Sequence, residues 1–106
     1  MAKPDPLTDQ IRRVAEQRDK TAFAALFDHF APRLKSYLVR LGADAASAEE
    51  LTQEVMITLW RKAHLFDASR ATAATWLFRI ARNRRIDALR RDRSALLDKE
   101  DPSLRP

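Results

Sequence analysis

Apolar residues recur at spacings of three and four along most of the chain, a periodicity that predicts helices. The first helix is short: behind Thr8 as the expected N-cap, Ile11, Val14 and Ala15 form its apolar side, and it ends near Arg18. Asp19 is the expected cap of a second, whose apolar face carries Phe23, Leu26, Phe27, Phe30, Leu34, Tyr37, Leu38 and Leu41. Pro32 falls inside that run, where a kink is expected, and Gly42 is the natural stop, able to take the left-handed conformation that closes a helix. Ser47 and Glu50 have the spacing of a capping box for a third helix, with Ala48, Leu51, Thr52, Val55, Leu59 and Ala63 toward the core. A fourth spans Trp76 to Arg93 without Gly or Pro, and Leu77, Ala81, Ala88 and Leu89 can face a core. Between them Phe66 to Thr75 is a glycine-free loop expected to hold a fixed shape. The pattern implies an all-α fold, a bundle of three main helices plus a short N-terminal one. Its expected core includes Leu26, Phe27, Leu34, Leu51, Val55, Leu59, Leu77, Ile80 and Ala81.

Two stripes are left over once the core faces are assigned. On the third helix Gln53, Ile57, Trp60 and His64 line up opposite the core, flanked by Glu50, Glu54 and Arg61. Burial on two sides of the bundle would account for them, but an aromatic and a branched aliphatic residue rimmed by charge also match the anchor-and-rim pattern of a docking face. On the fourth helix Arg79, Arg82, Asn83, Ile86, Arg90 and Arg93 share one side. Such a stripe can be a solvated basic face. It can equally track phosphates, since guanidinium forks match phosphate oxygens and displace condensed counterions. Two features favour nucleic acid: every cation of this stretch is Arg, and Trp76 and Phe78 lie at its start, where bases could stack.

Charge sharpens this picture. The stretch from Trp76 to Arg93 holds seven arginines against Asp87 and Asp92, so its net charge equals the +5 of the whole chain. A pI near 10.2 makes nucleic acid or an acidic partner the first expectation. One glycine in 106 residues argues against hairpins. With no cysteine, disulfides and thiolate sites are excluded, and neither His29 nor His64 has a carboxylate cluster at ligand spacing, so no metal or cofactor is expected. His29 is read as a surface residue and Tyr37 as a core aromatic with its hydroxyl at the edge. No nucleophile–base pair or phosphate loop is present, so the chain is not expected to be an enzyme. Without a signal-peptide apolar region or a membrane-spanning run, it is expected in the cytoplasm, with no membrane insertion.

Three segments, AFAALFDHFAPRL (Ala22 to Leu34), AEELTQEVMITLWRKAHLFD (Ala48 to Asp67) and TWLFRIARNRRIDALRR (Thr75 to Arg91), stand in an order and spacing that resembles the second conserved region of bacterial sigma factors of the extracytoplasmic-function subfamily. The resemblance covers roughly residues 8–93, and the last segment is its most specific part. It implies a domain that binds core RNA polymerase and opens the −10 promoter element. It also implies one domain of a two-domain factor: residues 1–7 as a flexible start, 8–93 as the helical domain and 94–106 as the start of an interdomain linker. The helix-turn-helix that reads the −35 element lies outside the match.

Carried over position by position, the resemblance makes Glu50, Gln53, Glu54, Ile57, Trp60 and Arg61 contacts to the clamp coiled coil of the polymerase's largest subunit. The loop with Asp67, Ser69 and Arg70 would capture a flipped base of the non-template strand, and Asn83 would help to read it. Arg79, Arg82, Arg90 and Arg93, with Ile86 between them, would lie along the phosphates of promoter DNA. Trp76 has two readings, packing into the body or acting at the upstream edge of the melted bubble. An anti-sigma factor is a further implied partner. Two other classes remain: an independent nucleic-acid-binding module, which would leave the Trp60 face without a use, and a purely protein-binding domain, which would leave the arginine stripe idle.

Overall fold

Three aspartates set where the first three helices begin. The computed structural model describes the backbone of residues 5–100 and the side chains of residues 5–97. Residues 1–4 and 101–106, which hold most of the expected flexible start and the end of the expected linker, lie outside the described residues. Asp5 accepts from the Leu7 amide at 3.0 Å and from the Thr8 hydroxyl at 3.2 Å, and α1 (Pro6–Gln17) starts behind it. Thr8 is therefore not the cap. Pro6 fits the first helical position because no donor is needed there, and this moves the start ahead of Thr8. The helix closes at Arg18, which takes the left-handed conformation at φ 50 and donates its amide to Val14 O at 3.1 Å.

Asp19 caps α2 (Lys20–Arg40) by accepting from Ala22 N at 3.0 Å. The helix runs unbroken through Pro32: the missing donor orphans only the carbonyl of Asp28, an exposed residue where water can replace it. Ala22, Leu26, Phe30, Leu34 and Leu38 form one buried ridge at every fourth residue. Phe27, expected in the core, is 38% exposed because it stands one residue off that ridge, a rotation of about 100°. Leu41 is also exposed, at the cap where the chain leaves the helix, and Gly42 follows at φ 98. His29 is half-buried against Phe30, and Tyr37 packs edge-on to Phe78 with ring centres 4.9 Å apart.

The third helix, α3 (Ala45–Lys62), is capped by Asp44, which accepts from Ser47 N at 2.7 Å. The expected capping box is corrected here. Ser47 occupies the position that donates to a cap, since a carboxylate three residues upstream already takes its amide. That hydrogen bond is the main reason the Asp44 carboxyl is held below its ordinary value; the Ser47 side chain and the Arg85 charge act in the same direction. The expected core face is buried throughout, and Met56 and Thr58 join it. Thr52 and Thr58 can be buried because each hydroxyl donates to its own helix, to Ala48 O at 2.7 Å and Glu54 O at 2.9 Å.

A single 3-10 turn, Ala63–Leu65, leads to the loop, and α4 (Ala73–Glu100) begins earlier than expected. Thr72 Oγ1 accepts from Thr75 N at 3.1 Å, so Ala73 to Thr75 belong to the first helical turn and not to the loop. Ala73, Leu77 and Ala81 enter the core, with Ile80 and Ala88 half-buried at its margin. Leu89, expected to face the core, is 46% exposed, because from that residue to Leu97 every described side chain of α4 is exposed and no other element covers it. The core thus joins Ile11 and Val14 of α1 to Leu26, Phe30, Leu34 and Leu38 of α2, Val55, Met56 and Leu59 of α3, and Leu77 of α4. Burying each such side chain stabilises the fold by about 1.5–3 kcal/mol. Among the described residues there is no strand, and no helix is long and apolar enough to cross a membrane.

Two candidate binding faces

Of the six expected docking residues, Gln53, Ile57, Trp60 and Arg61 stand on the outer side of α3, while Glu50 and Glu54 border a cleft shared with Arg85, Ala88 and Arg91 of α4. Glu50, Gln53, Ile57 and Arg61 are exposed, and Glu54 and Trp60 are half-buried. His64 does not extend this stripe, because it lies in the 3-10 turn beyond the helix. Ile57 is 51% exposed, a large apolar side chain in water. Trp60 packs edge-on against Phe23 with ring centres 5.3 Å apart, and Phe23 in turn meets Phe27 at 6.4 Å. Lys20, Phe23, Ile57 and Trp60 line a shallow apolar hollow of ≈ 330 Å³. The Arg18 guanidinium lies over the indole, 5.3 Å from its centre, and donates to the Trp60 carbonyl. That carbonyl belongs to the last turn of α3, where no helical donor is left for it. Periodicity found Trp60 but missed Phe23, Phe27 and Arg18 as its surroundings; Phe27 was legible as the aromatic that steps off the buried ridge.

On α4 the arginines divide. Arg79, Arg82, Arg90, Arg91 and Arg93 are exposed, with Asn83, and Ile86 is half-buried among them. Arg84 turns inward and donates to Thr58 Oγ1 at 2.8 Å, so it ties α4 to α3. Arg85 is half-buried beside Gly42, and its Nε has no hydrogen-bond partner among the described residues. Trp76 is half-buried with its ring 5.3 Å from that of Phe66. It also lines a cleft of ≈ 270 Å³ with Ile80 and Asn83, bordered by Lys62, Leu65 and Asp87. Asn83 therefore faces a space with aromatic and aliphatic walls, the cations Lys62 and Arg84, and the Asp87 carboxylate. Lys62, Leu65 and Asp87 were not among the expected site residues. Leu65, 61% exposed at the end of a helix, carried the signal as an apolar residue with no core position to fill.

The loop is ordered by its own side chains. Asp67 accepts from the Ser69 hydroxyl at 2.6 Å and the Ser69 amide at 2.9 Å, and Arg70 Nε approaches it at 3.7 Å. These contacts, the Ser69 hydroxyl first, hold the Asp67 carboxyl below its ordinary value. Asp67 and Asn83 line different clefts: Asp67 borders one of ≈ 630 Å³ with Arg12, Glu16 and His64. Phe66 links them, since it lines the Asp67 cleft while its ring rests on Trp76. Among the described residues no group of three His, Cys, Asp or Glu could hold a metal ion.

A family model described as Sigma-70 region 2 matches residues 26–95. The ECF RNA polymerase sigma factor RpoE of Cereibacter sphaeroides is 59% identical over 83 residues, covering 78% of this chain and 46% of that protein. SigK of Mycobacterium tuberculosis, another ECF RNA polymerase sigma factor, is 38% identical over 80 residues, 76% of this chain and 42% of its own length. Among solved structures, that of Rhodobacter sphaeroides SigE in complex with the anti-sigma ChrR superposes with a TM-score of 0.78 and 53% identity, covering 83% of this chain and 55% of that one. The chain spans less than half the length of these curated relatives.

Proposed function

Because the chain belongs to the Sigma-70 region 2 family of ECF RNA polymerase sigma factors, we propose that it serves transcription initiation by docking on core RNA polymerase through α3 while α4 engages the −10 element. The observation that carries this reading is the pairing of two unlike faces on different helices: an apolar hollow rimmed by charge around Trp60, and exposed arginines beside the Asn83 cleft. A binder of nucleic acid alone has no use for the first, and a binder of protein alone has none for the second.

On α3, Ile57 and Trp60 are the apolar anchors, and Glu50, Gln53, Glu54 and Arg61 form the rim against the clamp coiled coil. On α4, Arg79, Arg82, Arg90 and Arg93 neutralise phosphates and set the register of the strand. Asn83 tests a base edge, since its amide both donates and accepts. The turn of Asp67, Ser69 and Arg70 takes a second unstacked base, and Phe66 and Trp76 between the two clefts offer the aromatic surface against which a strand can turn. Opening the duplex costs a few kcal/mol per unstacked base, which these pockets must offset. The polymerase performs the chemistry. An anti-sigma partner is supported by the related SigE having been crystallised with ChrR.

Strand preference tests the reading. The protein should bind a single-stranded non-template −10 oligonucleotide more tightly than the same sequence as duplex, and core polymerase should enhance that preference. A preference for duplex would favour an independent DNA-binding module, and binding to polymerase without any nucleic-acid affinity would favour a protein-only role.

A further inference from the structure

The groove between α2 and α4 is distinct from both faces. Pro32, Arg33, Ser36, Arg40 and Phe78 line it, with a volume of ≈ 490 Å³. Arg33, Ser36 and Arg40 stand at i, i+3 and i+7, on one side of α2, and all three are exposed. The two arginines lie about 10 Å apart along the helix, at 1.5 Å per residue. Neither forms an ion pair with a described residue, and no carboxylate lines the groove. Arg33 donates one N–H to His29 O, at 2.5 Å, and its side chain is exposed. The opposite wall is Phe78, which Tyr37 supports edge-on at 4.9 Å and which neighbours Arg79 and precedes Arg82 by one helical turn.

We infer that this groove is a second phosphate-binding track, along which a single-stranded nucleic acid leaving the arginine face of α4 crosses to α2. The inference rests on α4 being the nucleic-acid side. Its occupant is a polyanion with flat bases, because the groove offers two guanidinium forks, a hydroxyl and an aromatic wall, and nothing negative. It also borders the α4 stripe, since Phe78 is adjacent to Arg79 and stands one turn before Arg82. An acidic protein segment would answer the charge but would have no use for the aromatic wall in line with the arginines of α4.

The test is a salt titration of oligothymidylate binding with two strand lengths, about 4 and about 16 nucleotides, which bracket a short and a long binding site. Arg33→Gln with Arg40→Gln should leave the helical circular dichroism intact, since both side chains are exposed. It should also lower the slope of log K against log salt on the long strand by about 1.4, two contacts at roughly 0.7 each, and leave the short-strand slope unchanged. Arg82→Ala serves as the reference, lowering both slopes. If Arg82→Ala lowers the slopes and the double variant does not, the groove is no track and the α4 face stands. If neither changes them, both assignments are overturned. A double variant that loses core polymerase but keeps its long-strand slope would make the groove a protein contact, which also overturns the inference.

Discussion

Trp60 on the outer face of α3 is held from two sides, by the edge of Phe23 and by the Arg18 guanidinium over its ring, whereas Arg79, Arg82, Arg90 and Arg93 on α4 project from the helix as exposed side chains. The first arrangement has lost its rotamer freedom before any partner arrives, so shape and apolar contact can become affinity. The second keeps that freedom and offers charge, so on the proposed reading its affinity should rise with the number of phosphates met and fall with salt. On the proposed reading, the face that would recognise one protein surface is ordered in advance, and the face that would follow a strand of varying sequence is not.

The largest expected effect removes the contrast. Val55 is fully buried on the inner side of α3, and Val55→Asp places an unpaired carboxylate there at a cost of several kcal/mol, comparable to the ~5 kcal/mol that holds a small domain together. Both binding activities and the cooperative thermal melt should vanish together. An unchanged melt would mean the inner face of α3 is wrongly assigned.

Trp60→Ala should separate the faces. Loss of a central aromatic anchor costs about 2 kcal/mol or more, which is roughly 30-fold in polymerase affinity, while oligonucleotide binding stays at the wild-type level. If oligonucleotide binding fell equally in a folded variant, the two faces would not be independent.

Within the α4 face the prediction is a split between reading and holding. Asn83→Ala should erase the preference for a matched over a mismatched −10 strand, about 1–3 kcal/mol per base, with the salt slope preserved. Arg82→Ala should lower the slope by roughly 0.7 and weaken all sequences alike. Sequence preference surviving in Asn83→Ala would move base reading to the Asp67 turn.

A smaller effect sharpens the claim that the α3 face is pre-ordered. Arg18 sits in a left-handed conformation that glycine adopts without strain, yet its side chain covers Trp60. Arg18→Gly should therefore keep or raise the melting temperature while weakening polymerase binding about two- to fivefold, the worth of an exposed cation–π contact. A variant that is less stable and binds polymerase unchanged would reduce Arg18 to a packing role.

Much of this was legible before any tertiary contact was known. The i, i+4 ridge of α2 and the core side of α3 follow from periodicity alone, since a helix has only one way to turn apolar residues spaced in this way toward a common core. Helix starts were less legible. At α1 and α3 an Asp three residues before a hydroxyl competes for the cap, and Asp5 and Asp44 take it from Thr8 and Ser47. Sequence shows that either can cap, because the motif is degenerate over one turn. Phe27 falls outside the core because it stands one residue off the buried ridge of α2, and Leu89 because the periodic pattern does not encode where the neighbouring helices stop covering α4.

By itself the sequence determined the all-α class, the arginine stripe with Asn83 in it, and the side of α3 on which Trp60 stands, because each depends only on residue order and the helical repeat. Which arginines remain available to a ligand was decided by tertiary structure alone. Arg84 and Arg85 are adjacent in the same basic run, yet α3 takes one through Thr58 and the other settles beside Gly42 at the end of α2. Tertiary structure also brought Arg18, 42 residues away in the chain, onto Trp60, and set Arg33 and Arg40 beside Phe78. Periodicity gives a side chain's direction about its own helix axis; what it meets there depends on how the helices are placed against one another, which no local pattern encodes.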